Sequence, residues 1–262
     1  MRRRMKTGRR STKRRSRSAK KGRLIPTIRR VARRVALAQA ETKRAVVLNE
    51  DYTYGPSTAY NFQAMYTNIF SVLGTSAQGV AQNQMIGTEI VDPLFVARME
   101  MTVDWGLLLA NAGVTGVVGV CLHAWLIATN DQQPITAPTA YVNSASANNW
   151  FIQPQGYKPQ LNGNNVKVLK HWSKCVNPPS IPFGSSKPIG YAASCYRHKF
   201  VHKFKGKKEF ETTSDYTSVS RVLRGWNYYF LVGYGVASTE TLNANSQNVY
   251  MRCDRYLYYK DP

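Results

Sequence analysis

The residues with the clearest chemical potential in this 262-residue chain are the basic side chains near its N-terminus. Between Met1 and Arg34 there are seventeen arginines and lysines and no acidic residue. They are Arg2, Arg3, Arg4, Lys6, Arg9, Arg10, Lys13, Arg14, Arg15, Arg17, Lys20, Lys21, Arg23, Arg29, Arg30, Arg33 and Arg34. Guanidinium groups pair with phosphate through two parallel hydrogen bonds, and a dense run of one charge sign attracts a polyanion. The pattern predicts nucleic-acid binding by these seventeen residues.

The charge is unevenly distributed along the chain. The whole chain has 36 basic and 14 acidic residues, so the part from Val35 onward keeps 19 basic against 14 acidic residues, an excess of about five. We therefore predict a basic arm over residues 1–40 and a nearly neutral folded domain over residues 41–262. Within the arm, Lys13-Arg14-Arg15 is typical of a nuclear localisation signal. Residues 1–22 contain too few apolar side chains to fold alone, whereas Leu24–Ala40 has the spacing of a short basic amphipathic helix.

A second basic stretch contains lysines at positions 199, 203, 205, 207 and 208. It is either the solvated face of a strand or a surface that contacts nucleic acid, and the sequence leaves both interpretations open. In the same stretch, Cys195, His198 and His202 approach the spacing of zinc ligands. On a strand, however, the two histidines point away from Cys195 and share a face with Phe200. We expect packing histidines, with no metal and no cofactor.

Other chemistry is weakly represented. No phosphate-binding loop, nucleophile elbow or zinc-protease helix motif occurs, so we expect no enzyme. The four cysteines are widely spaced, which suits a reducing compartment better than a disulfide scaffold. No apolar segment is long enough to span a membrane, and no membrane association is expected.

The elements that position these residues have the two-residue period of half-buried strands. The clearest strands are predicted at Phe95–Trp105, Val117–Ala128, Tyr196–Phe204, Trp226–Tyr234 and Val249–Tyr259. Weaker candidates are Lys43–Thr53, Val166–Trp172 and Thr217–Leu223. Eight strands without a strand-helix rhythm predict an all-β antiparallel sandwich or barrel.

The connections between these strands are long and polar. The connection Tyr54–Pro93 is expected to hold a short helix at Ala59–Val72, with Phe62, Met65 and Ile69 on one side. Three loop aromatics, Trp150, Phe151 and Tyr157, either stack on unpaired bases or are buried at subunit contacts.

The ordered combination of features resembles the capsid proteins of circular Rep-encoding single-stranded DNA viruses, the circovirus-like group. The features are the arm MRRRMKTGRRSTKRRSRSAKK, Glu41-Thr42-Lys43 at the start of the first strand, the long loops and the aromatic C-terminal strand VYMRCDRYLYYKDP. The resemblance implies an eight-stranded jelly roll and a T=1 icosahedral shell of sixty copies. It also implies an inward arm that binds the DNA genome and carries the nuclear localisation signal.

The function expected from the residues and the resemblance is that of a self-assembling capsid protein that packages single-stranded DNA. Its expected partners are the genome, other copies of the chain and host nuclear import receptors, and its expected locations are the virion and the host nucleus. The alternative is a ribosomal or other cellular RNA-binding protein with a basic tail. Such proteins usually spread their basic excess over the globular part as well.

Overall fold

The computed structural model describes residues 25–32, 35, 41–52, 62–73, 88–106, 108, 117–130, 138–140, 150–153, 158–178, 193–211, 222–238 and 249–261. These residues contain twelve β-strands, a short 3-10 helix at Ile69–Leu73, and helical residues at 25–32, 35, 105, 106 and 108. The strands are β1 (Glu41–Tyr52), β2 (Phe62–Asn68), β3 (Glu89–Val103), β4 (Val117–Thr129), β5 (Thr139–Ala140), β6 (Phe151–Gln153), β7 (Gln160–Leu161), β8 (Val166–Val176), β9 (Ser194–Lys203), β10 (Lys207–Glu209), β11 (Asn227–Ser238) and β12 (Val249–Asp261).

Two large sheets contain all the long strands. In the first sheet the order is β1-β12-β3, and β9 and β10 pair in succession with the free side of β3. In the second sheet the order is β5-β2-β11-β4-β8. When β9 and β10 are taken as one edge strand and the short β5 is set aside, eight strands form two four-stranded sheets with the interleaved order of a jelly roll. The predicted eight-stranded antiparallel jelly roll is confirmed.

A local irregularity separates β9 from β10. Asp92 of β3 has a φ of 48° and Gly206 has a φ of 79°, and both lie in the left-handed region. The Asp92 amide donates to the Gly206 carbonyl at 3.0 Å, and the Gly206 amide donates to the Asp92 side chain at 2.6 Å. This exchange holds the two halves of the edge strand on β3 across the bend.

The main core lies between the sheets. Phe95 of β3, Phe200 of β9 and Phe230 of β11 meet there, with Phe230 at 5.5 Å from each of the other two ring centroids. Along β3, buried residues alternate with more exposed ones from Ala97 to Val103, as the sequence period predicts. All seven predicted strands that lie in described residues overlap observed strands. β3 begins six residues before its predicted start, β8 and β11 end four residues after their predicted ends, and the other four agree to within two residues. The candidate Thr217–Leu223 lies mostly outside the described residues.

A second, smaller apolar cluster covers the other face of the second sheet. Tyr66 of β2 and Tyr229 of β11 contact Trp150, with ring centroids at 4.8 Å and 5.1 Å. Trp150 and Phe151 are both buried within this one chain. Both sequence interpretations of these two aromatics, base stacking and burial at a subunit contact, are therefore wrong. Tyr157 lies outside the described residues.

The helix predicted at Ala59–Val72 is also wrong. Residues 62–68 form the strand β2, and a 3-10 helix follows at Ile69–Leu73. β2 pairs with β5 and β11 along its two edges, and the two apolar clusters cover its two faces: Phe62 packs in the smaller cluster and Met65 in the main core. A strand that is buried on both faces does not need polar residues at every second position. Its apolar residues can therefore also fit the spacing of a helix, as they do here.

Two further features were not predicted. Cys121 of β4 and Cys175 of β8 are directly opposed in the register and form a disulfide. The expectation of cysteines suited to a reducing compartment is wrong for this pair. The two partners are 54 residues apart in the sequence, so their pairing can be identified only once the strand register is known. Lys43 of β1 and Asp261 of β12 form an ion pair in which both side chains are buried.

The chain divides into two compact units, Met1–Glu41 and Thr42–Pro262. Among the residues that the structure describes, no helix is long and apolar enough to cross a membrane.

Candidate nucleic-acid interface

Two of the seventeen predicted arm residues lie in the described part of the chain. Arg29 and Arg30 are exposed and belong to a helix over residues 25–32, and residue 35 is also helical. The predicted helix is thus confirmed for these positions. Its apolar residues Ile25, Ile28 and Val31 are also more than half exposed. The other fifteen arm residues lie outside the described residues, and the role of all seventeen in nucleic-acid binding stays a prediction.

The second basic region is larger in the structure than in the sequence, because it combines two strands. β8 is the edge strand of the second sheet and β9 is the edge strand of the first. We call their basic surface the β8–β9 edge. It is defined by Lys167, Lys170 and Lys174 on β8, by Arg197, Lys199 and Lys203 on β9, and by Lys205 just after β9. All seven are exposed, and residues 158–178 and 193–205 contain no acidic residue.

Direct contacts join the two strands. The Lys174 ammonium lies 4.6 Å from the centre of the Tyr196 ring. Trp172 stacks on His198, with ring centroids 4.5 Å apart and an interplanar angle of 14°. These two contacts, each between a β8 and a β9 side chain, close the open side of the sandwich at this edge.

Lys170 makes a third contact across the edge. Its ammonium lies 5.0 Å from the centre of the Phe200 ring and donates a hydrogen bond of 2.8 Å to the Val201 carbonyl. The bond satisfies a main-chain acceptor on an edge strand, where sheet partners are missing. The aliphatic stem of Lys170 can thereby cover apolar surface while its charge stays near solvent.

The two histidines of β9 face the sandwich, as the parity argument predicts. His198 stacks on Trp172, and His202 packs edge-on against Phe204 at 4.6 Å. Cys195 is exposed. No cluster of three potential metal ligands occurs in the described part of the chain.

The electrostatics at this edge disfavour further positive charge. Partial burial, and after it the positive charge of Lys170, lower the pKa of His198. Partial burial, followed by the charges of Lys170 and Lys208, lowers the pKa of His202. Both imidazoles are thus kept neutral near pH 7, and the positive charge of the edge resides on its lysines and Arg197.

Carboxylates neutralise only part of the basic region. Arg197 pairs with Glu100 at 2.8 Å, and Lys207 pairs with Glu89. Among the described residues, no carboxylate forms an ion pair with Lys167, Lys170, Lys174, Lys199, Lys203 or Lys205. In the sequence stretch from Lys199 to Lys208, Lys207 is therefore neutralised by Glu89 and Glu209, whereas the lysines on and just after β9 are not.

Sequence reasoning found the β9 lysines but missed the three lysines of β8. The signal was present, since residues 158–178 contain four lysines and no acidic residue. Only the sheet topology places that segment beside β9, because the two strands belong to different sheets.

Comparison with known proteins finds weak structural likenesses and no sequence relative. No family model and no curated protein matches the chain. A solved structure of the human polyomavirus 7 VP1 pentamer aligns with 84% of this chain and 95% of that one, at 9% identity and a TM-score of 0.25. The human polyomavirus 6 VP1 pentamer aligns over 77% and 96%, at 12% identity and a TM-score of 0.17. At these scores the likeness carries no argument, and the fold assignment rests on strand order.

Proposed function

We propose that this chain is a capsid protein of a circovirus-like virus, which assembles into a closed shell and packages single-stranded DNA through its arm. The observation that carries the proposal is the combination of a jelly roll with an acid-free arm of seventeen basic residues. A jelly roll is one of the folds of viral shells, and it also occurs in lectins and cupins. The arm distinguishes the capsid function from those alternatives, since a polyanion must offset its charge.

The proposed role of the arm follows from charge number rather than from geometry. Seventeen positive charges within 34 residues repel one another until a polyanion replaces their counterions. If sixty copies form the shell, as the family resemblance implies, the arms contribute roughly a thousand positive charges to one particle. A single strand has about one negative charge per nucleotide, so the arms would offset much of the self-repulsion of a small genome.

The folded domain supports assembly rather than catalysis as its role. Its formal excess of about five charges is small for 222 residues, whereas the cellular RNA-binding alternative would spread basic residues over it. Several large apolar side chains are exposed in the isolated chain, among them Leu48, Trp226 and Tyr250. Residues of this kind are typical of protein–protein contacts. We infer a homo-oligomer and no enzymatic activity.

The test is electron microscopy and light scattering of the purified full-length chain with single-stranded DNA at neutral pH. We expect uniform closed particles that protect the DNA from nuclease. A stable monomer under these conditions would exclude the capsid function, and tight binding to folded RNA without particles would favour the cellular alternative.

The arm is tested by replacing its seventeen basic residues with glutamine in the full-length chain. We expect loss of most DNA affinity and of nuclear import, with the thermal unfolding of the folded domain unchanged. Undiminished affinity and salt dependence in this variant would show that the arm is not the binding element.

A further inference from the structure

We propose that the β8–β9 edge is a second binding surface for single-stranded nucleic acid, formed by the folded domain and separate from the arm. The inference rests on the proposed function for the identity of the ligand, but its residues and its test are independent of the arm. It concerns the lysines of two strands that the chain fold brings together from segments about thirty residues apart in sequence.

The first argument is the sign of the charge. Surface charges usually occur with both signs interspersed, and the opposite edge of the first sheet follows that rule. On β1, Arg44 is accompanied by Glu50 and Asp51. The β8–β9 edge instead has seven basic residues, of which only Arg197 pairs with a carboxylate in the described residues. A field of one sign at this density favours a polyanionic ligand.

A different role for these lysines is protection of the sheet edges. Lysines on exposed edge strands prevent pairing with the edge of another molecule. One or two charges suffice for that role, and mixed signs serve as well, as on β1. Protection therefore accounts for the presence of lysines but not for six uncompensated ones on neighbouring edges.

The second argument is the arrangement of aromatic rings among the charges. Trp172 and Tyr196 are half-buried, and each contacts a side chain of the facing strand: Trp172 stacks on His198, and Tyr196 lies beneath the Lys174 ammonium. Proteins that bind single strands without reading their sequence combine a basic track for the phosphates with rings on which bases stack. A sulfated polysaccharide would use the cations but not the rings. The arrangement therefore favours a nucleic-acid strand over a polysaccharide.

The third argument is preorganisation. Lys170 and Lys174 are held over Phe200 and Tyr196 at 5.0 Å and 4.6 Å, respectively. Side chains that are already restrained lose less conformational entropy when they bind a phosphate. Lys199 and Lys203, on one face of β9, lie about 13 Å apart and extend the basic surface along the strand.

The test compares pairs of substitutions in the full-length chain. One variant combines Lys167→Gln with Lys174→Gln on β8, and another combines Lys199→Gln with Lys203→Gln on β9. The control combines Arg44→Gln with Arg252→Gln, which removes two charges from β1 and β12. Binding of a fluorescein-labelled thymidine homopolymer is measured by anisotropy over a series of salt concentrations. Circular dichroism and thermal unfolding confirm that each variant is folded.

We expect each edge variant to reduce the slope of log affinity against log salt by about 1.4, since each phosphate contact on a single strand contributes about 0.7. The ratio of the unmodified chain's affinity to that of an edge variant should be about 25 times larger at 0.1 M salt than at 1 M salt. The control should change the slope by less than half as much. In the unmodified chain, bound oligonucleotide should also protect Lys199 and Lys203 from an amine-reactive reagent.

Edge variants that match the control would overturn the proposal, as would variants that aggregate while the folded fraction binds DNA normally. Loss of heparin binding with unchanged DNA binding would assign the surface to a sulfated polysaccharide and would equally overturn it. The glutamine variant of the arm separates this proposal from the previous one. If the arm variant loses affinity and the edge variants behave like the control, only the edge proposal is refuted. If the edge variants lose affinity and the arm variant does not, only the arm proposal is refuted.

Discussion

The buried ion pair between Lys43 and Asp261 gives the sharpest test of what stabilises the jelly roll. The Lys43 ammonium lies 2.8 Å from a carboxylate oxygen of Asp261, and each side chain is only 1% exposed. The pair joins β1 to β12, the first and last strands, which are neighbours in the first sheet. At 2.8 Å and an effective dielectric constant of about 20, the Coulomb attraction is about 6 kcal/mol.

That attraction is offset by desolvation, which costs several kcal/mol for each buried ion. The intact pair thus contributes little net stability, but removal of one partner leaves the other charge buried without this ion pair. We predict that Lys43→Met lowers the free energy of unfolding by about 3–5 kcal/mol. For a domain of this size, the loss corresponds to a fall of roughly 6–20 °C in Tm.

The assay is thermal and urea unfolding followed by tryptophan fluorescence. The matched control is Arg252→Met, because Arg252 pairs with Asp51 between the same two strands at 2.9 Å but with both side chains more than 60% exposed. It should have a much smaller effect, since exposed pairs are solvated and screened. The double variant Lys43→Met with Asp261→Leu should recover most of the lost stability. If Lys43→Met is no more destabilising than the control, or if the double variant does not recover, the reasoning is refuted.

Three further predictions concern other parts of the folded domain. Because the folded-state pKa values of His198 and His202 are lowered, the unfolded chain binds protons first as the pH falls. The Tm should thus decrease below the unfolded-state pKa of about 6.5, and less so in a His198→Gln/His202→Gln variant. Gly233→Ala would place a Cβ 2.5 Å from the Gln63 carbonyl oxygen of the adjacent strand, so its Tm should fall clearly, whereas Gly163→Ala, with open space around it, should leave the Tm nearly unchanged. Replacing Cys121 and Cys175 with serine should cost about 2–4 kcal/mol in urea unfolding, and dithiothreitol should destabilise the unmodified chain but not this variant.

The alternating period located β12 closely, since Val249–Tyr259 was predicted and Val249–Asp261 is observed. β12 alternates in burial along its whole length and β3 from Ala97 to Val103, and the same alternation is visible in their sequences. β2 was predicted as a helix because both of its faces are covered by the same chain, one by the main core and one by the cluster around Trp150. The hydrophobic period of a sequence shows whether one face of an element is buried. A segment that is buried on all sides is apolar throughout, so it has no period that distinguishes a strand from a helix.

Long-range partners were harder to predict than elements. The Cys121–Cys175 disulfide and the Lys43–Asp261 ion pair join residues 54 and 218 positions apart. Each depends on which strands become neighbours, and the jelly-roll order places the first strand beside the last. Residue types alone favoured cysteines of a reducing compartment, and they gave no sign that Lys43 is buried, since a lysine is rarely buried without a partner. The partner becomes identifiable only with the topology.

The two candidate binding surfaces differ in the same way. Counterion release depends on the number and density of charges, so the arm could be recognised from a run of seventeen basic residues without any knowledge of its conformation. The β8–β9 edge instead depends on where two strands of modest charge meet. Each strand alone is ordinary for an exposed sheet edge, and the contacts of Trp172 with His198 and of Lys174 with Tyr196 make them one surface. A binding site that depends on the number of charges can be predicted from the sequence. A site that depends on which strands lie side by side requires the fold.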